Sequence, residues 1–465
     1  MRSIRQQTTD NLNIDWKSFY KNVFALVMPM AVQNLINVGV TATDVFMLGR
    51  VGEKVLSGAS LAGQIQFIMM LIFFGITAGS TVLTAQYWGK RDTDTIEKIL
   101  GMGLSSGILV AAVFTVLAFF IPDTLMRIYT SDAVVVTEGA KYLRIVGLSY
   151  LFMAVTQVYL NIMRSIERVV VATVVYFISL FVNIIINAVL IFGMFGAPRL
   201  EIVGAAVGTL CARITELVLV LLYAHYKNDI VKIRVRYLVH MDKVLFLDYV
   251  RYAMPVVLNE MMWGLGTSCN TAIIGHLGSE AVAANSVAQV ARQLAQVVVF
   301  GISSATAIWL GKTLGEGKTE HARAYAKRFI WLSLILGGLG GGMILLSGPI
   351  VIRVLTLSAQ SQSYLNFMFF VMSYFVVGQA FNTTMVCGIF RSGGDTKFGL
   401  YMDVTTMWGC SILLGGAAAF VFHAGVPAVY AILMSDEIIK VPICIWRYRK
   451  YKWLRNVTRE KEELR

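Results

Sequence analysis

The chain has 465 residues, 57% of them hydrophobic and only 14% charged, with a mean hydropathy of +0.68. A soluble globular domain carries roughly 25% charged residues, so the composition excludes water as the main solvent of this chain. The formal net charge of +13 would suggest a nucleic-acid partner in a soluble protein; in a chain this apolar it orients loops instead, and no nucleic-acid partner is expected.

Residues 1–18 are polar and are expected to form a cytoplasmic N-terminal segment. The apolar run that follows, from about 19 to 48, is too long for a cleaved signal peptide and reads as a first span. About 20 apolar residues cross a hydrocarbon core as a helix. Further runs fall near 56–87, 97–121, 134–163, 169–195, 202–226, 244–275, 281–313, 326–348, 362–389, 398–422 and 427–446. The pattern predicts an all-α integral membrane protein with twelve transmembrane helices. Alternating the loops puts about 31 of the 40 Lys and Arg on the side of both termini, which the positive-inside rule assigns to the cytoplasm of a multi-pass cell (inner) membrane protein. The basic stretches 227–243 and 447–465 then serve as a cytoplasmic linker and tail beside anionic lipid.

A repeat organises these spans. Met28/Met254, Pro29/Pro255, Gly49/Gly275, Gly52/Gly278, Phe74/Phe300, Gly75/Gly301, Ile76/Ile302 and Gly89/Gly315 all stand 226 positions apart, and Arg164 recurs as Arg391. Each repeat holds six spans, an arrangement that transporters use. Two pseudo-symmetric six-helix lobes, 19–226 and 244–446, are expected around a central cleft. Pro29 and Pro255 break the opening helix of each lobe at matched positions and are candidate hinges.

Charged groups deep in a span are costly, and each is a functional hypothesis. Asp44 shares a face of the first span with Gln33, Asn37 and Thr41. Asn183 and Asn187 lie one turn apart in span five and offer carbonyl oxygens, and Thr209 adds a hydroxyl from span six. One carboxylate with several neutral oxygens suits H⁺ or Na⁺. In the second half Glu260 shares a face with Thr267 and Thr271 and is flanked by Trp263, while Asn285, Gln289, Arg292 and Gln296 form a polar stripe in span eight; Glu260 and Arg292 could pair, which would hold Glu260 ionised, whereas burial without a partner would make Glu260 a proton carrier. Arg213 with Glu216, and Asp436 and Glu437 with Lys440, read as structural pairs, and Asp403 lies about a turn into span eleven.

Other chemistry is poorly represented. The five cysteines lie in or beside apolar runs with no ligand spacing. Gly311-Lys312-Thr313 looks like the end of a phosphate-binding loop, but Thr306 occupies the earlier glycine position. No histidine motif for metal occurs, so neither an enzyme nor a resident cofactor is expected.

Taken in order, Pro29, Asp44-Val-Phe-Met-Leu-Gly49-Arg-Val-Gly52, the Asn183/Asn187 pair, Gly204-Ala-Ala-Val-Gly-Thr209, Gly275-His-Leu-Gly278 with Asn285, and Gly388-Ile-Phe-Arg391-Ser-Gly-Gly-Asp395-Thr396 resemble the multidrug and toxic compound extrusion (MATE) family from Lys17 to about Arg449. The resemblance implies alternating-access export of organic cations and amphipathic drugs against Na⁺ or H⁺, probed by small organic substrates in a monomer embedded in lipid. It implies that Asp44, with Asn183, Asn187 and Thr209, couples the ion, with Na⁺ a candidate at Asp44. Gln33, Asn37, Glu260, Trp263, Asn285, Gln289 and Arg292 are the expected substrate and C-lobe polar cluster. Trp263 and Ala380 stand where some relatives carry a glutamate and an aspartate. A flippase for lipid-linked saccharide of the same superfamily is the alternative expectation.

Overall fold

The structure, a computed structural model, describes residues 14–354 and 358–464. Most of the expected 1–18 segment therefore lies outside the described residues, as does Arg465 at the end of the tail. Among the described residues the regular structure is helical throughout. The long helices are α1 (Trp16–Gly49), α2 (Glu53–Gly89), α3 (Thr93–Phe120), α4 (Ala133–Ser165), α5 (Val169–Phe192) and α6 (Glu201–Tyr226) in the first half. The second half holds α7 (Lys243–Gly275), α8 (Ser279–Gly315), α9 (Thr319–Val354) and α10 (Ala359–Phe390). It ends with α11 (Thr396–Asp403, Val404–Ile412 and Leu413–Phe420) and α12 (Val426–Leu433 and Asp436–Arg449). The expected twelve helices are all present, within a few residues of the apolar runs.

Nine of the described helices are long and apolar enough to cross a membrane. Of the other three, α7 carries Glu260, α11 is interrupted by a π-helical stretch, and α12 breaks at Met434 and Ser435. A second π-helical stretch, Thr384–Phe390, closes α10. Such turns shift the facing of everything beyond them and recur at functional sites. Here one leads directly into Arg391 and the other directly follows Asp403.

The chain forms two compact units whose composition differs from a simple cut at the 227–243 linker. The C-terminal unit consists of residues up to 31, 85–90 and 254–458; the N-terminal unit consists of 32–84, 91–253 and 459 onwards. The divisions of α1 and α7 fall within two residues of Pro29 and Pro255.

Packing explains the assignment of these segments. In the C-terminal unit Phe19 stacks on Tyr325 with centroids 4.9 Å apart, which holds the first turns of α1. Gly311 and Gly315 of α8 face Ala85 and Gln86 so closely that a Cβ on Gly315 would lie 1.9 Å from the Gln86 carbonyl oxygen. Small residues at a four-residue spacing allow helix backbones this close approach. The Gln86 side chain then donates to the carbonyls of Ser392 (2.7 Å) and Arg455 (3.0 Å) and accepts from the Val457 amide (2.7 Å), fixing the chain beyond α12, where Trp453 is fully buried. The tail expected only as a charge signal is thus also a packed element. In the N-terminal unit Ala253 of α7 packs against Gly79 of α2, and Arg459 pairs with Asp248.

Candidate functional site

In the N-terminal unit, α5 and α6 meet through Gly204 and Gly208. A Cβ on Gly204 would fall 2.7 Å from the Leu190 backbone, and one on Gly208 would fall 1.9 Å from Oδ1 of Asn187. Glycine at both positions lets α6 approach α5 and leaves room for the Asn187 amide beside Gly208. Its Nδ2 donates to Oδ1 of Asp44 on α1 at 2.6 Å and to Oδ1 of Asn183 at 3.2 Å. Asn183 and Asn187 are buried at 2% and 0% exposure, so this bond forms away from bulk water. Residues from two helices 143 positions apart in sequence thus converge on one carboxylate. Thr209 completes the neighbourhood through the hydroxyl of Tyr142 on α4, which lies within electrostatic reach of Asp44 and Arg213.

Arg213 would be the obvious counter-ion, but it is occupied. Its Nη1 donates to both carboxylate oxygens of Glu216 at 2.7 and 2.8 Å, and Ser179 adds a hydrogen bond to the same carboxylate at 2.7 Å. Among the described residues no cation lies at ion-pair distance from Asp44, whereas Glu216, Glu260, Asp403, Asp436 and Glu437 each have one. Oδ1 of Asn187 is buried without a hydrogen-bond partner among the described residues. A proton on Oδ2 of Asp44 neutralises the carboxylate and leaves Oδ1 to accept from the Asn187 amide as it stands. Na⁺, bound by oxygens, requires the Asn187 amide to turn so that its oxygen rather than its nitrogen faces the carboxylate.

The two upper residues of the α1 stripe have other surroundings. Gln33 is buried and bonded to the Val169 carbonyl at 3.1 Å, the Thr173 hydroxyl at 2.8 Å and Nη1 of Arg164 at 3.4 Å, joining α1 to the start of α5. Asn37 is exposed.

In the C-terminal unit Glu260 has a partner, but it is not Arg292. Glu260 accepts from Nη2 of Arg391 at 2.7 Å, because the π-helical end of α10 directs Arg391 towards α7. The repeat carried this signal: Arg164 and Arg391 are repeat partners, and Arg164 reaches Gln33, beside the position matched to Glu260. Asp403 is likewise no lone acid. It binds Lys440 at 3.0 Å and accepts from Nδ2 of Asn259 at 2.9 Å. Lys440 also meets Asp436 at 3.0 Å and Glu437 at 3.3 Å, and Asn382 donates to Glu437 at 2.7 Å. The expected Asp436–Glu437–Lys440 cluster is present and gains Asp403. Trp263 is partly buried, and Asn285, Gln289 and Arg292 stand on α8 apart from these pairs.

The two halves are chemically unequal. Asn270 stands 226 positions after Asp44, and Cys410 and Leu414 stand 227 after Asn183 and Asn187, so the acid-and-amide site is confined to the N-terminal unit.

Comparison with known proteins matches this organisation. The family model MatE covers residues 29–189 and 255–416, two segments whose starts have the spacing of the repeat. The probable multidrug resistance protein YoeA of Bacillus subtilis is 22% identical, over 94% of each chain. The probable multidrug resistance protein NorM of Thermotoga maritima is 21% identical, over 96% of this chain and 95% of that one. A solved structure described as the outward-facing conformation of a multidrug resistance MATE family transporter of the MOP superfamily aligns with a TM-score of 0.84 at 18% identity, covering 93% of this chain and 96% of that chain. That likeness shows a shared twelve-helix, two-lobe fold.

Proposed function

Because the chain belongs to the MatE family of membrane transporters, we propose that it is a multidrug exporter, antiporting organic cations or other amphipathic drugs against Na⁺ or H⁺ by alternating access. The observation that carries the coupling is Asp44. A carboxylate within a membrane helix, hydrogen-bonded to an amide and lacking a cation partner among the described residues, requires a proton or a cation. Asn183, Asn187 and Thr209 supply the neighbouring oxygens. Binding of the ion favours one conformation, the drug favours the other, and exchange follows by linkage. Pro29 and Pro255 are the proposed hinges, supported by the change of unit beside each one. Gln33, Asn37, Glu260, Trp263, Asn285, Gln289 and Arg292 are the proposed substrate-contact set. Among these the α8 residues, which have polar atoms to spare, suit the role better than Gln33 and Glu260, which are already bonded. The protein works as a monomer in the inner membrane with both termini in the cytoplasm, and it needs no cofactor beyond the coupling ion.

A flippase for lipid-linked saccharide would need free cations for a pyrophosphate. Of Arg292, Arg391 and Lys440, the last two are held by carboxylates and only Arg292 is not, so these three do not form the group of free cations that a pyrophosphate needs, which favours the exporter. The test is efflux from proteoliposomes of a panel of cationic dyes under separate Na⁺ and H⁺ gradients. Transport under one gradient and none without it is expected; folded protein that moves no dye under either gradient contradicts the reading.

A further inference from the structure

The second half of the molecule carries an unmet charge of the opposite sign. Asn285, Gln289, Arg292 and Gln296 lie on one face of α8, within about 60° of each other at 100° per residue. Each has a buried polar atom with no hydrogen-bond partner among the described residues: Oδ1 of Asn285, Oε1 of Gln289, Nε of Arg292 and Nε2 of Gln296. Asn285 and Gln296 are each only 5% exposed. Buried polar groups are normally satisfied; Oδ1 of Asn285 and Oε1 of Gln289 are acceptors, while Nε of Arg292 and Nε2 of Gln296 are donors that an anion from outside the protein would meet.

The repeat supplies an internal control. The matched face of α2 carries Ala59, Gly63, Gln66 and Met70, each 226 positions earlier. The same fold therefore packs this helix without the stripe, and Arg292 in particular is not required by architecture.

The surroundings of Arg292 define what it would take. Its guanidinium carbon lies 5.9 Å from the centroid of the buried Phe375 ring, which supports the cation while supplying no hydrogen-bond acceptor. Among the described residues no carboxylate is at ion-pair distance, since Glu260 is taken by Arg391. Tyr430, Asp436 and Glu437 act on Arg292 electrostatically, but both acids are bonded to Lys440, and Glu437 also to Asn382. The Tyr430 hydroxyl is fully buried and has no partner either. Nε of Arg292, Nε2 of Gln296 and the Tyr430 hydroxyl are thus three donors without acceptors.

We propose that Arg292 is a docking point for a carboxylate of the transported molecule, with Gln296 and Tyr430 as auxiliary donors. The planar guanidinium matches a planar carboxylate through paired charge-assisted bonds. This deepens the exporter reading, on which it rests, by assigning the residue of this chain that selects substrates with a carboxylate.

The test compares binding of a xanthene dye bearing a free benzoate with binding of its methyl ester, by fluorescence anisotropy on the purified full-length protein. Wild type should bind the acid about tenfold more tightly than the ester. Arg292→Gln installs the residue found at the matched position 66 and should fold; it should bring the acid-to-ester affinity ratio to about one. Arg292→Lys, which keeps the charge, should retain part of the preference. An acid-to-ester ratio unchanged in Arg292→Gln overturns the proposal, as does a wild type without preference. If phosphatidylglycerol in nanodiscs displaces the acid through Arg292, the guanidinium serves a lipid headgroup and the substrate assignment is overturned. Binding needs no gradient, so a persistent Arg292-dependent ratio without ion-driven efflux would refute antiport and leave this site standing.

Discussion

Asp44→Asn should reduce ion-driven drug uptake into inside-out proteoliposomes by about tenfold or more, the loss of roughly 1.4 kcal/mol or more of coupling, while the protein stays folded. Asparagine keeps the size of the side chain and retains an oxygen for the Asn187 amide bond of 2.6 Å. What disappears is the only charge in the arrangement that can accept a proton or attract Na⁺. Removing a carboxylate that has no cation partner among the described residues should not destabilise the fold, because no opposite charge among them is left stranded. A monodisperse variant transporting at the wild-type rate would remove Asp44 from the mechanism.

The second large effect is structural. Lys440→Met leaves Asp403, Asp436 and Glu437 without their shared cation. Removing one partner of a buried ion pair costs about 3 to 5 kcal/mol, because the remaining charge is uncompensated. The melting temperature in detergent should fall sharply, with much of the protein lost on extraction. Adding Glu437→Gln removes one stranded charge and should restore part of the loss, giving non-additive effects in a double-mutant cycle. An unchanged melting temperature for Lys440→Met would mean that the cluster is not a structural joint.

The difference between these two sites explains what was legible in the sequence. Helices were legible because twelve apolar runs separated by polar loops leave few alternatives in a bilayer, and the repeat gave the two lobes. Asp44, Asn183 and Asn187 were legible as polar groups on apolar faces, and Gly204 and Gly208 were legible as small residues. Their convergence was not, since it depends on how closely two glycines let α5 and α6 approach. Arg391 as the partner of Glu260 is not legible, because α-helical periodicity carries no warning of a π-helical turn, and such a turn leads into Arg391. Asn259 and Asp403 meet across 144 positions with no local signal at all. Gln86 binding the chain at Arg455 and Val457 was equally hidden, because a tail rich in Lys and Arg resembles a simple orientation signal.

The central claim is that ion and drug compete through Asp44, and equilibrium drug affinity tests it most directly. Affinity of a cationic dye for the purified protein should be measured across Na⁺ concentrations and from pH 5 to 9, in wild type and in Asp44→Asn. Linkage requires reciprocity, so an ion that favours the state disfavouring the drug must weaken drug binding. Wild-type affinity should fall as Na⁺ rises or as pH drops, and Asp44→Asn should flatten that dependence. Wild-type affinity independent of both ions, or a dependence that persists undiminished in Asp44→Asn, would contradict exchange at this site.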